Sequence, residues 1–241
     1  MRNLLMWVCP LAIAAAAGAA PLCVTGALSS YESMAAGCSV GSYTFSDFHF
    51  SVAGSVAVDP AAVQVQVVDT STGQGLSFTG PFSATAGLSL DALISFVISA
   101  PAIPGETLAI QNANASGGAN AQVVETVCES GVAGCGGFTP AALNAFVNPS
   151  ASVLSESTTF SGPAAAGQAV QAQVMKNIIV QGGGAGTSDR ASIGTVLNTL
   201  PVTGGSAGPG GGPTTVPEPD TMILLGSALV GGALLLRRRK V

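Results

Sequence analysis

Charge is scarce in this 241-residue chain, where Lys, Arg, Asp and Glu together make up 8%, against about 25% in typical soluble domains. Aromatics are only 5%, so much of the 48% hydrophobic content is Ala and Val. A single histidine, His49, excludes multi-histidine metal sites. Seven basic against twelve acidic residues leave no patch able to neutralise phosphates, which excludes nucleic acid as a partner. There is no CxxC pair for zinc, and no stretch repeats at a fixed period, which argues against a solenoid. The length fits one ordinary domain plus appendages.

What is present begins at the ends. Met1-Arg2-Asn3 carries one positive charge, and an apolar run from Leu4 to Ala17 follows, closed by the small-x-small pattern Ala17-Gly18-Ala19. This is the layout of a secretory signal peptide over residues 1–19, with cleavage after Ala19, and it implies the Sec machinery and signal peptidase as partners. Pro21-Leu22 before Cys23 does not fit a lipoprotein signal. At the other end, Thr221 to Leu236 is an uncharged stretch of 16 residues, roughly 24 Å long as a helix. That is slightly short for a hydrocarbon core of about 30 Å, a gap that snorkelling side chains and local thinning can close. Arg237-Arg238-Arg239-Lys240 follows, and such a cluster resists crossing and fixes that end in the cytoplasm. The expectation is an exported body tethered by a C-terminal transmembrane helix over 221–236.

Val216-Pro217-Glu218-Pro219 immediately precedes that span. Two prolines fix φ and block pairing, so the stretch is extended and accessible to a processing enzyme. Pro217-Glu218-Pro219, an apolar span and an arginine-rich end, in that order, resemble the PEP-CTERM sorting signal. The resemblance implies that residues 216–241 direct the protein to an exosortase-type membrane enzyme that cleaves near the motif, and that the product resides at the cell surface or outside the cell. A rival pattern, Leu200-Pro201-Val202-Thr203-Gly204, matches the LPxTG signal of sortases and would mean attachment to the cell wall. It stands 16 residues before Thr221, whereas Pro-Glu-Pro almost abuts the span, so we read it as a chance match at the end of a strand.

The body runs from Ala20 to Pro201 and is joined to the sorting signal by a Gly/Pro-rich linker over 202–215, flexible by composition. Its only basic residues are Lys176 and Arg190, against acids at Glu32, Asp47, Asp59, Asp69, Asp91, Glu106, Glu125, Glu129, Glu156 and Asp189. Cys23, Cys38, Cys128 and Cys135 survive processing. Export makes disulfides the expectation, three pairings are possible, and proximity favours Cys23–Cys38 and Cys128–Cys135. Period-two alternation marks Phe48–Val52, Val63–Val67 and Ile94–Ile98 as strands. Leu108–Ile110, Gln122–Val127, Ser152–Thr159, Val170–Val180 and Ser192–Leu197 are weaker candidates. Turn clusters fall at Ser71–Gly75, Thr79–Pro81, Pro104-Gly105 and Ser116–Gly118, and short helices are expected only at Ala27–Ala36 and Pro140–Phe146. The sum is an all-β, antiparallel sandwich-like body.

Its N-terminal part, with Cys23, Leu28, Tyr31, Gly37-Cys38-Ser39-Val40-Gly41 and Phe45-Ser46-Asp47-Phe48, resembles a segment found at the mature N-terminus of many PEP-CTERM proteins. That likeness implies no activity.

Catalytic and cofactor signals are missing. A serine triad needs a histidine, and His49 sits on the polar side of an apparent strand with no nucleophile elbow in the chain. Glu125 and Glu129, four apart beside Cys128, read as surface groups rather than a glycosidase pair. Asp69-Thr70-Ser71-Thr72-Gly73 lacks the remaining carboxylates of a calcium loop and reads as a β-turn. Gly182–Gly186 is followed by no Lys-Ser or Lys-Thr, so it is not a phosphate loop. Asn114-Ala115-Ser116 matches a glycosylation sequon that a bacterial origin would leave silent. No enzyme, cofactor or metal is expected. The role expected is structural or adhesive, in a biofilm or exopolysaccharide matrix. The alternative is a secreted carbohydrate-binding module or hydrolase whose fold would gather scattered carboxylates in a cleft.

Overall fold

Alternating burial governs several of the long strands of this computed structural model, which describes residues 20–128, 140–160 and 170–202. The chain divides into two units, residues 1–203 and 204–241, and the described residues all lie in the first. In chain order they form β1 (Gly26–Ala27), α1 (Leu28–Glu32), β2 (Cys38–Val40), β3 (Tyr43–Gly54), β4 (Gln64–Asp69), β5 (Gly73–Thr85), β6 (Ser89–Ala100), β7 (Gly105–Gln111) and β8 (Asn114–Ser116). There follow β9 (Asn120–Cys128), β10 (Ala141–Asn148), β11 (Ala151–Val153), β12 (Ser155–Thr159), β13 (Val170–Gln181) and β14 (Arg190–Pro201).

Two antiparallel sheets result. One runs β11-β10-β9-β13-β6-β3-β2; the other runs β1-β4-β5-β14-β7-β12, with β8 also on β14. They pack face to face, β13 and β9 against β14, and β10 against β7, with the core between them. In β6 the buried set is Leu90, Ala92, Ile94, Phe96, Ile98 and Ala100, every second residue, which is what one inward face requires. Four aromatics interlock across the core: Phe96 lies 6.0 Å from Phe45, 5.4 Å from Phe48 and 5.9 Å from Phe78, ring centre to ring centre.

Two bulges adjust this alternation. Asp47 adopts φ 53° where the β3–β6 register shifts between Ser46 and His49. The extra residue turns both Phe45 and Phe48 inward although they are three apart. The second bulge corrects an expected turn. Thr79-Gly80-Pro81 lies inside β5, where Ile193 pairs with Phe82 and Thr195 with Thr79. Between those pairs Gly80 and Pro81 face the single Gly194, one residue in excess, and such a bulge is a place where a strand tolerates a residue without an N–H donor.

A further correction concerns Pro140–Phe146, which is not a helix. Ala141–Asn148 is β10, paired along its length with β9 and burying Leu143 and Ala145; sheet pairing overrides the helical preference of its alanines. The candidate strand Ser152–Thr159 is split, β11 closing one sheet and β12 the other. Of the helix expected over Ala27–Ala36, only Leu28–Glu32 is helical, as α1.

The N-terminal segment forms a clasp over one end of the sandwich. Cys23 and Cys38 are disulfide-bonded. The buried Tyr31 donates its hydroxyl to Val24 O at 2.7 Å and meets Phe48 edge-on at 5.0 Å, while Leu28 N–H donates to Val63 O. Gly37 has φ +65°, and a Cβ there would stand 2.3 Å from Phe45 O.

Candidate functional site

The inward positions of four central strands are not all apolar. Along β9 the buried series is Ala121, Val123, Glu125, Val127; along β13 it is Ala172, Val174, Lys176, Ile178, Val180. Along β7 it is Glu106, Leu108, Ile110, and along the second half of β14 it is Val196, Asn198, Leu200. Each polar residue thus occupies a slot that strand parity assigns to the core. Lys176 is the only lysine before position 240.

The fold brings these four together. Lys176 and Glu125 are direct cross-strand partners, and Asn198 and Leu108 are partners in the opposite sheet, where β7 also carries Glu106. Lys176 Nζ contacts Glu125 Oε2 directly and lies 4.0 Å from Glu106 Oε1. The ammonium sits 5.7 Å from the centre of the Phe96 ring, a cation–π distance. Asn198 Nδ2 donates to Glu125 Oε1 at 3.4 Å. Neither oxygen of Glu106 nor Asn198 Oδ1 has a hydrogen-bond partner among the described residues. The Lys176, Glu106 and Glu125 side chains have no solvent exposure, and Asn198 is equally buried.

The electrostatics follow from that burial. Desolvation pushes the Glu106 carboxyl up to about 7, with the Lys176 charge opposing. Desolvation likewise pulls the Lys176 ammonium down to about 7, with Glu106 opposing. Three charged groups would leave one net negative charge in the core, which is costly there. With Glu106 protonated, the cluster is neutral as a Lys176–Glu125 ion pair beside a carboxylic acid. A pair of this kind is often no more stabilising than apolar side chains of the same volume, so stability alone does not account for it.

These residues were missed or misread from sequence. Glu125 is not a surface group: it is fully buried, because the period-two register that buries Val123 and Val127 buries it too. Its partner in the rejected glycosidase pair, Glu129, lies outside the described residues. His49 is exposed on β3. At Asp69–Gly73 the chain makes a tight turn, Thr70 N–H donating to Gly73 O at 2.9 Å, and the described residues contain no group of three or more potential metal ligands. Asp189 bends over the Gly117-Gly118 turn, accepting from Gly118 N–H at 2.9 Å. Cys128 is disulfide-bonded as well; Cys135 falls outside the described residues. So do the expected signal peptide over 1–19, residues 203–215 of the expected linker, Pro217, Glu218, Pro219, the expected span over 221–236, and Arg237, Arg238, Arg239 and Lys240. Among the described residues no helix is long and apolar enough to cross a membrane.

The fold places this chain among antiparallel β-sandwich proteins. Residues 215–240 match the family model of the PEP-CTERM protein-sorting motif, a match that spans Pro217-Glu218-Pro219, the apolar run and the Arg237–Lys240 cluster. The chain therefore carries a PEP-CTERM sorting motif, and the motif implies an exported protein processed at the membrane by an exosortase. No curated protein matches the chain. Among solved structures, a CBM61 module in complex with β-1,4-galactotriose is similar with TM-score 0.27 and 13% identity, over 62% of this chain and 86% of that one. The enzymatically active domain of tailspike protein 4 of bacteriophage CBA120 is similar with TM-score 0.25 and 12% identity, over 64% of this chain and 19% of that one. Likeness this loose carries no argument about function.

Proposed function

We propose that this protein is a bacterial surface or extracellular-matrix component with a structural or adhesive role. Sec-dependent export delivers the sandwich across the inner membrane, the 221–236 helix holds it there, and an exosortase-type enzyme cuts near Pro217–Pro219. The observation that carries the reading is the sorting motif over residues 215–240. A non-catalytic role has support from the core. The two carboxylates that converge, Glu106 and Glu125, do so where no outside substrate reaches them, whereas glycoside hydrolysis needs its acids to flank a bound sugar.

The test is mass spectrometry of the C-terminus of the protein recovered from outside the cell, in a host with its exosortase and in one lacking it. The expected result is a C-terminus lacking Arg237–Lys240 in the first host and membrane-retained full-length chain in the second. An extracellular product ending in Arg237-Arg238-Arg239-Lys240-Val241 would overturn the proposal.

A further inference from the structure

We propose that Lys176 and Glu125 become covalently joined in the folded core by an isopeptide bond, with Glu106 relaying the proton and Asn198 holding the carbonyl oxygen. This inference is independent of the sorting signal and rests on the geometry of the four side chains.

Three features of the site favour condensation. Strand pairing of β9 with β13 sets the amine and the carboxyl side by side, with Nζ against Oε2; groups held in contact this way react with effective molarities of about 10⁵–10⁸ M. The site is closed to solvent, so the amide, once formed, is shielded from hydrolysis. The proton inventory is also right. In the neutral cluster, moving one proton from Nζ to Oε2 turns the ion pair into a free amine and a carboxylic acid without exchange with solvent, and burial favours uncharged forms.

The reaction is a dehydration. The Nζ lone pair attacks Cδ of Glu125, and the carbonyl π pair moves onto Oε1, where Asn198 Nδ2–H donates as an oxyanion donor. One oxygen of protonated Glu106 accepts a proton from the nitrogen while the other delivers its own to the Oε2 hydroxyl. The Cδ–Oε2 bond then breaks, water departs, and an amide links the side chains. Glu106 ends with the proton count it began with, and nothing is oxidised or reduced. A buried ion pair is replaced by an uncharged amide that ties positions 125 and 176 together, which gives a reason for the body's sole lysine to lie in the core.

The experiment uses the purified full-length chain, reduced and unfolded. Between Asn3 and Leu236 trypsin has two sites, Lys176 and Arg190, and an acylated lysine is not cut. We expect an intact mass lower than the sequence mass by one water, cleavage after Arg190 but not after Lys176, and a branched Glu125–Lys176 peptide after digestion with a second protease. An unaltered sequence mass with complete cleavage after Lys176 overturns the proposal. Lys176→Met should have its own full sequence mass; loss of water from that variant would place the dehydration elsewhere and also overturn it. Glu106→Gln, folded as judged by its far-UV spectrum, should regain full mass and cleavage after Lys176. A cross-link formed at the wild-type rate in that variant refutes the part assigned to Glu106. Should Glu106→Gln not fold, the wild-type mass and digest decide the matter alone.

Discussion

In the unlinked chain Lys176 is the only cation of the core cluster, and replacing it by Met removes that charge while keeping most of the side-chain volume. Glu125, without solvent exposure, then loses its ion-pair partner, and Glu106, equally buried, loses the cation that restrains the rise of its carboxyl. Removing one partner of a buried pair costs about 3–5 kcal/mol. For a body of this size each kcal/mol moves Tm by about 2–4 °C, so a fall of about 6–20 °C is expected near neutral pH. The loss should depend on pH in a definite direction. Burial already holds Glu106 at about 7, and Lys176 is what opposes the rise, so the variant's carboxyl titrates higher still. A carboxyl raised in the folded state stabilises fully below its unfolded value of 4.5 and loses that contribution as pH climbs through the folded value. One such group changes stability by about 1.4 kcal/mol per pH unit. The wild-type carboxyl, itself held at about 7, loses stability alongside it up to that pH, so the penalty should grow above pH 7 and be larger at pH 8 than at pH 5. Urea unfolding from pH 5 to 8 of the variant and of wild-type chain that has not yet lost water, as judged by its mass, measures this, and the triple variant Lys176→Met, Glu106→Leu, Glu125→Leu should recover the lost stability at every pH. A penalty below about 1 kcal/mol at pH 8, or one that grows toward pH 5, would refute the reasoning.

Two further outcomes test the clasp. Cys23 and Cys38 close a loop of separation 15, so the double Ala variant should lose about 3 kcal/mol, a drop in Tm of about 6–12 °C by calorimetry; an unchanged Tm would show that the bridge does not constrain the unfolded chain. Gly37→Ala should cost at least about 1 kcal/mol from its left-handed backbone alone, and more because the added Cβ meets Phe45 O. Gly184→Ala, where the nearest heavy atom to a Cβ is Thr187 Cγ2 at 3.6 Å, is the control that should stay near wild type in the same denaturation assay.

The sheet was readable wherever alternation was strict. Phe48–Val52, Val63–Val67 and Ile94–Ile98 announce parts of β3, β4 and β6 by parity alone, while Gln122–Val127 and Val170–Val180, weaker in the sequence, prove to be β9 and β13. The misreadings have local causes. Gly80-Pro81 carries turn chemistry but serves as a bulge, because neighbours on both sides hold β5 extended. Ala141–Phe146 is rich in helix formers yet takes the place beside β9. In both, pairing partners distant in sequence outweigh local preference, and no window of ten residues contains them.

The cluster was hidden for a different reason, and the same parity that showed the strands could have shown it. By residue type alone, two glutamates near a cysteine read as surface and Lys176 enters only the count of charge. Position within the alternation says otherwise. Glu125 stands two residues from Val123 and from Val127, Lys176 two from Val174 and from Ile178, Asn198 two from Val196 and from Leu200, and every one of those neighbours is buried. A polar residue that keeps an apolar phase is either mated across the core or intolerably costly, so finding three on separate strands predicts that they meet. The N-terminal segment gives the complementary lesson. Leu28, Tyr31, Cys38, Phe45 and Phe48 fill the core end, while Gly37, Gly41 and Asp47 take positive φ. Its residues thus have a sufficient cause in closing the sandwich, with no ligand needed to account for them.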